Sequence, residues 1–273
     1  DAPDDEFFTQ RIGHGHHIYD DPELVRRAIR EGVTIEVCPT SNIQCMTQPS
    51  YGLHPAKKLL DMGLTGFRLN LSHTTLTACR PWTEAVQQAR ATSGRPAELI
   101  VDMRGPELRM GPLSRPVTLT AGETVILGPG GLPVEPDILA AVAPGQEILL
   151  DDGLMALRAE SCGRAVTCTV TRGGVLESRK SITLPGVELC RPALTEQDLL
   201  DLDAAAGQGG TAVMQPFVRS RHELEQVRAA LARRGLEHLT IFAKIEDRRG
   251  WQSLPQWMDA CDVVTVARGG LGS

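Results

Sequence analysis

The sequence predicts an α/β fold: a parallel sheet covered by helices, interrupted once by an all-β insertion. Three observations lead there. Short apolar, β-branched runs alternate with stretches of helical spacing. Polar residues gather just after those apolar runs. Helical periodicity disappears between about 113 and 192 and returns at Thr195.

The elements can be justified in chain order. A first strand is expected near 10–14. In DDPELVRRAIREG, Asp21 can cap a helix, Pro22 suits its first turn, Leu24, Val25, Ala28 and Ile29 share a face, and Gly32 ends it. GVTIEVC, 32–38, is bounded by Gly32 and Pro39 and reads as a buried strand. HPAKKLLDMG, 54–63, repeats the helical pattern more briefly, and FRLNL, 67–71, is the next strand. Pro81 to Gly94 reads as a helix and AELIVDM, 97–103, as a strand. The insertion follows, with PVTLT, TVILG, EILLDD and AVTCTV set between Gly and Pro. Beyond it, Thr195 and Ser220 are candidate N-caps, and Glu223 stands three residues after Ser220, a capping-box spacing. Strands at 211–218, 239–245 and 262–267 bring the candidates in the α/β part to seven. Repeated βα units imply a parallel sheet. A (β/α)₈ barrel and a doubly wound sheet both stay open, although no G-x-G-x-x-G opens a helix after the first strand, which disfavours dinucleotide binding.

Bulk properties narrow the function. The 273 residues are 41% apolar, enough for a buried core, and the net charge of −6 with no dense basic stripe argues against a nucleic-acid partner. No apolar run approaches the ~20 residues of a membrane span. The seven cysteines are scattered and form no Cys-x-x-Cys pair, which points to a reducing, cytoplasmic location. The chain starts at Asp1 without Met or a signal-peptide pattern and reads as a fragment.

The chemistry-bearing residues lie where strands end. Asn70 and Ser72 follow one strand, Asp102 and Arg104 the next, Lys244 and Glu246 a later one, and Arg268 the last. Residues two apart on a strand project to one side, so each pair points together. In a barrel this end is the active face. Cations (Arg68, Arg109, Lys244) beside carboxylates (Asp102, Glu246) suit an anionic substrate held with a divalent metal; a set of solvated loop charges is the plainer alternative.

GFRLNLSH (66–73), ELIVDMRGPELRMG (98–111), LLDDGL (149–154), SRKSITLPG (178–186), PALTEQD (192–198), PFVRS (216–220), AKIED (243–247) and VARGGLG (266–272) together resemble the successive signatures of pyruvate kinase. That resemblance, over residues 65–273, implies a (β/α)₈ TIM-barrel-type fold, incomplete or hybrid, built from 65–112 and 193–273 with an inserted all-β lid at 113–192. It implies phosphoryl transfer from phosphoenolpyruvate to ADP, giving pyruvate and ATP, with Mg²⁺ or Mn²⁺ and K⁺. Lys244 would stabilise the phosphoryl group in flight, Glu246 would ligate the divalent metal, and Arg68 and Arg109 would reach phosphate oxygens. Asn70, Ser72 and Asp102 would hold the monovalent cation. Asp152 and Lys180 would face the nucleotide from the lid, and the Gly269 and Gly270 amides would meet the substrate carboxylate at a helix start. Four departures predict impaired catalysis. Gly270 stands where the family has a second metal-binding Asp, Met103 where it has a threonine, and Pro216 where it has a serine; Ser273 ends the chain before the last two strand–helix units. Effectors stay undefined and a homo-oligomer is left open.

Residues 11–64 resemble a different barrel enzyme, adenosine deaminase, in RIGHGHHIYDDPEL, IEVCPTSNIQ and HPAKKLLDMGL. The resemblance implies that His14 assists a zinc-bound water and places Ser41 and Asn42 near that site. The family's zinc ligands are missing, so no zinc is expected. A loop histidine cluster at His14, His16 and His17, and a strand-ending turn at Pro39–Asn42, are the plainer readings. The two resemblances meet at Gly63–Gly66, which makes the expected barrel a hybrid.

Overall fold

β-branched and apolar runs became strands, and the positions flanking them decided how the helices start. The computed structural model describes residues 11–12, 18, 20–31, 33–37, 66–72, 74–94, 97–187, 189 and 191–267. His14, His16, His17, Ser41, Asn42, the helix expected at 54–63, His73, Gly269 and Gly270 lie outside the described residues. No described helix is long and apolar enough to cross a membrane. The chain divides into two compact units. One runs to Gly105 and resumes over Ala193–Ala267; the other is Pro106–Pro192.

In the first unit, strands β1 (Arg11–Ile12), β2 (Thr34–Val37), β3 (Gly66–Asn70) and β4 (Glu98–Asp102) lie in sequence order. The insertion carries the strands that come next in the chain, so the sheet continues with β12 (Ala212–Gln215), β13 (Thr240–Ile245) and β14 (Val263–Val266). Every pairing is parallel. Unbroken sequential order is that of a singly wound barrel, whereas a doubly wound sheet reverses direction at a switch point. Among the described residues the sheet is open, with β1 and β14 as its edges.

Strand alternation sorts the side chains. Phe67, Leu69, Leu99, Val101, Val213, Ile241, Ala243 and Ile245 pack into a large core with helix residues such as Leu202, Leu224, Leu231 and Trp257. The alternate positions Ile100, Ala212, Met214 and Phe242 form a small separate cluster on the other face, joined by Val263.

The covering helices are α1 (Pro22–Arg30), α2 (Arg80–Ser93), α4 (Glu196–Ala205), α5 (Arg221–Ala232) and α6 (Arg248–Trp257). Asp21 caps α1 by accepting the Glu23 and Leu24 amides at 3.0 and 3.1 Å. The expected apolar face of α1 is narrower than its spacing suggested: Val25 and Ala28 are buried, while Leu24 and Ile29 are exposed. Gly94 ends α2 in the left-handed conformation (φ 65°), its N–H bonded to the Arg90 carbonyl. Both N-caps expected after the insertion carry full capping boxes, Thr195 with Asp198 and Ser220 with Glu223.

The second unit has a five-stranded antiparallel sheet ordered β11 (Ile182–Thr183), β7 (Glu147–Leu150), β8 (Met155–Ser161), β9 (Val166–Arg172) and β6 (Thr124–Leu127). A separate pair joins β10 (Gly174–Leu176) to β5 (Val117–Leu119). Val166, Cys168 and Val170 alternate inward into a core with Leu127, Ile148 and Leu157. The stretch expected to lack helix contains one short helix, α3 (Pro136–Ala140), started by Pro136 and anchored by buried Ile138 and Leu139.

Candidate functional site

The sheet face turned away from the helix-side core is apolar toward the start of its strands and charged toward their carboxyl ends. Below lie Ile100, Ala212, Met214 and Phe242. Two residues on from Ile100 stands Asp102, and two on from Phe242 stands Lys244. Asn70 and Asp102 are register partners on β3 and β4. The ladder extends past the strand ends: Leu71 N–H donates to Asp102 O, Met103 N–H to Met214 O and Val218 N–H to Lys244 O, at 2.9, 3.0 and 3.1 Å. The backbones under the charged side chains are therefore tied to the sheet.

Four charges meet there. Lys244 Nζ is 3.3 and 3.5 Å from the two Asp102 oxygens and 2.9 Å from Glu246 Oε1. Arg68 Nε is 3.7 Å from Asp102 Oδ2, and its Nη1 lies 3.7 Å from Met214 Sδ. The Asp102 and Arg68 side chains are 1% and 8% exposed, and Lys244 14%. Two cations and two carboxylates balance formally. At an effective dielectric near ~20 each close contact is worth roughly 4–5 kcal/mol before dehydration. Dehydrating each ion costs several kcal/mol, so the set adds little net stability, yet losing one member strands a buried charge. Burial alone would lower the Lys244 pKa; attraction to Asp102 and Glu246, with the Glu246 hydrogen bond, overcomes it and the repulsion of Arg68, and holds the ammonium above its ordinary value.

The donor set fits hard cations. Asn70 Oδ1 accepts the Ser72 N–H at 2.8 Å and keeps a second lone pair, and Asn70 is the register partner of Asp102; amide and carboxylate oxygens are donors that suit a monovalent cation. Among the described residues no group of three or more His, Cys, Asp or Glu could hold a metal. Glu246 alone suits Mg²⁺ that keeps its waters and takes further oxygens from a phosphorylated ligand. Met103, in place of the family threonine, points into the helix-side core and is 1% exposed.

The other candidates lie in the second unit. Arg109 pairs with Glu107 at 2.6 Å and donates to the Arg179 carbonyl at 2.9 Å. Lys180 pairs with Asp151 at 3.1 Å, while Asp152 accepts from the Ser181 hydroxyl at 2.8 Å. Asp151, Asp152 and Arg179 all have positive φ, of 51°, 53° and 61°, an uncommon conformation for residues with a Cβ. Burial tends to lower the Lys180 pKa, but Asp151 and Glu177 outweigh it and raise it.

Sequence reasoning passed over Asp198, Gln215 and Gln226, which hold the chain where it leaves and re-enters the first unit. The Asp198 carboxylate accepts the Arg104, Gly105 and Thr195 amides. The Ala193 N–H donates to Gln226 Oε1 and its carbonyl accepts from Gln215 Nε2. Two signals were available: Asp198 stands three residues after the N-cap Thr195 and closes the PALTEQD signature.

A family model described as Pyruvate kinase, barrel domain matches residues 39–273. Among curated proteins, the chain is 35% identical to a pyruvate kinase of Aeropyrum pernix over 79% of this chain and 48% of the relative. It is 31% identical to one of Chlamydia pneumoniae (79% and 46%) and 30% identical to one of Geobacillus stearothermophilus (85% and 42%). The chain thus spans about half the length of the curated relatives it matches. The match begins well before the expected junction at Gly63–Gly66, and the deaminase likeness of residues 11–64 finds no support in these relatives. Across that junction β2 pairs with β3, Glu36 opposite Gly66 and Val37 opposite Phe67.

Proposed function

Because this chain belongs to the pyruvate kinase family, we propose that it carries the phosphoryl-transfer site of a phosphoenolpyruvate:ADP phosphotransferase. The observation that carries this reading is the Lys244 ammonium, held between Asp102 and Glu246 at the carboxyl end of β13. Phosphoryl transfer asks a protein for little covalent chemistry; it asks for fixed positive charge around the equatorial oxygens. Lys244 and Arg68 supply that charge from a tied backbone, so little reorganisation is needed as charge develops.

Glu246 would hold a divalent cation, and Asn70, Ser72 and Asp102 would hold a monovalent one. When bound, these ions neutralise phosphate charge. Lys244 Nζ lies 2.9 Å from Glu246 Oε1, so the ammonium would stand beside a cation held there and beside the phosphate it accompanies. The family resemblance supports reading the β-rich unit as a lid and giving Asp152, Lys180 and Arg109 roles toward nucleotide and phosphates; Gly269 and Gly270, which it assigns to the substrate carboxylate, lie outside the described residues. A cytoplasmic location accords with the free thiols of Cys79, Cys162, Cys168 and Cys261.

A second reading, a binding scaffold without turnover, is favoured by Gly270, which removes the family's second metal carboxylate. A lactate-dehydrogenase-coupled assay with phosphoenolpyruvate, ADP, Mg²⁺ and K⁺ separates the two. Pyruvate release that Lys244→Met abolishes supports the transferase. Ligand binding with no pyruvate supports the scaffold.

A further inference from the structure

Helix α4 presents two carboxylates one turn apart, Asp198 and Asp201, at 0% and 1% exposure. Two anions buried that close together persist only with dedicated donors. Asp198 Oδ1 accepts the Arg104 N–H at 2.8 Å. Its Oδ2 accepts the Gly105 N–H at 3.2 Å, the Thr195 N–H at 2.8 Å and the Thr195 hydroxyl at 2.7 Å. Asp201 Oδ1 accepts the Leu76 N–H at 2.8 Å, and the Arg104 guanidinium donates to the Thr74 carbonyl.

An N-terminal capping box explains only the Thr195 contacts. The bonds to Arg104 and Gly105 lie outside it and reach a loop 93 and 94 residues away in sequence. That loop starts one residue after Asp102, and the loop held through Thr74 and Leu76 starts one residue after Asn70. One helix face thereby holds the two loops that follow the monovalent-cation candidates. We propose that Asp198 is a positioning residue that, through the Arg104 and Gly105 amides, sets where the Asp102 carboxylate stands relative to Asn70 and Lys244.

The cation arm of this proposal rests on the transferase reading; the clamp itself does not. Asp198→Asn is the probe, because an amide offers one acceptor, so whichever way it turns one of the two loop amides faces a donor. Thr195→Ala is the control, breaking the cap without touching Arg104 or Gly105. Amide hydrogen exchange and thallium(I) binding, competed with K⁺, are measured on both variants and the parent. The expected result is at least tenfold faster exchange at Arg104 or Gly105 and at least tenfold weaker thallium binding in Asp198→Asn, with less than twofold change for either in Thr195→Ala. Unchanged exchange at both loop amides in Asp198→Asn, or equal losses in the control, overturns the proposal. Should Asp198→Asn fail to fold, the parent decides: Arg104 and Gly105 amides protected with the α4 amides support the clamp, and amides exchanging as a free loop overturn it. A parent that binds no thallium overturns the role given to Asn70, Ser72 and Asp102, while the exchange arm still decides the clamp.

Discussion

The Lys244 ammonium reaches Asp102 across an intervening strand, at 3.3 Å from one carboxylate oxygen and 3.5 Å from the other. β12 separates their strands in the sheet, and its residue in register with Asp102 is Met214. A flexible thioether there can adapt to a long side chain crossing over it.

Lys244→Met should abolish phosphoryl transfer and cost about 3 kcal/mol of stability, because Asp102 is left buried with Arg68 at 3.7 Å as its nearest cation. Adding Asp102→Asn should restore roughly half of that loss. Urea denaturation of the two single variants and the double variant forms the cycle. Strictly additive losses would show that the two side chains do not interact.

Gly105 has φ 62°, and a Cβ there would lie 2.5 Å from Pro216 Cγ. Gly105→Ala should therefore cost about 2–4 kcal/mol, combining left-handed strain with overpacking. Pro216→Ala in the same chain should recover the packing part and leave about 1–2 kcal/mol of backbone strain. Full recovery in thermal melts would mean that φ contributes nothing.

Burial raises the Asp201 pKa, only partly offset by the Leu76 amide, Gln197 and the charge of Arg104. The folded chain then holds a proton that the unfolded chain has released. Stability from that proton is complete below the unfolded carboxylate value, near ~3.9, and is lost as pH rises through the folded value. Where Asp201 is ionised, its burial is a net cost. Asp201→Asn keeps an oxygen for Leu76 and should raise stability at pH 7 while flattening the fall above pH ~4. Equal pH profiles for parent and variant would contradict this.

Gly270→Asp should tighten Mn²⁺ binding several-fold, because the family resemblance gives this position the second metal carboxylate. Calorimetric titration of both chains reads the change. Equal affinities would mean that residue 270 does not face the metal.

Much of this was legible in one dimension. The period-2 alternation of FRLNL and ELIVD assigns Arg68 and Asn70 to one face and Phe67 and Leu69 to the other. Asp21, Thr195 and Ser220 are caps because a short side-chain oxygen meets unpaired amides, a local event written in a few residues. Exposure of Leu24 and Ile29 was not legible: helical spacing names a stripe, but its buried width depends on what packs against it. The placement of Met103 shows the same limit. Its motif position marks it only as standing in for a threonine; packing decides that its side chain enters the helix-side core.

By itself the sequence determined the strand–helix alternation, the insertion, the caps and the set of charged residues placed at strand ends. These follow from backbone sterics and from periods of a few residues. Only the tertiary structure decided which charges meet. The Lys244–Asp102 contact spans 142 residues and the Asp198–Arg104 contact 94. Such pairs depend on strand order and on the size of the residues between them. No local propensity carries that information; the packed sheet does.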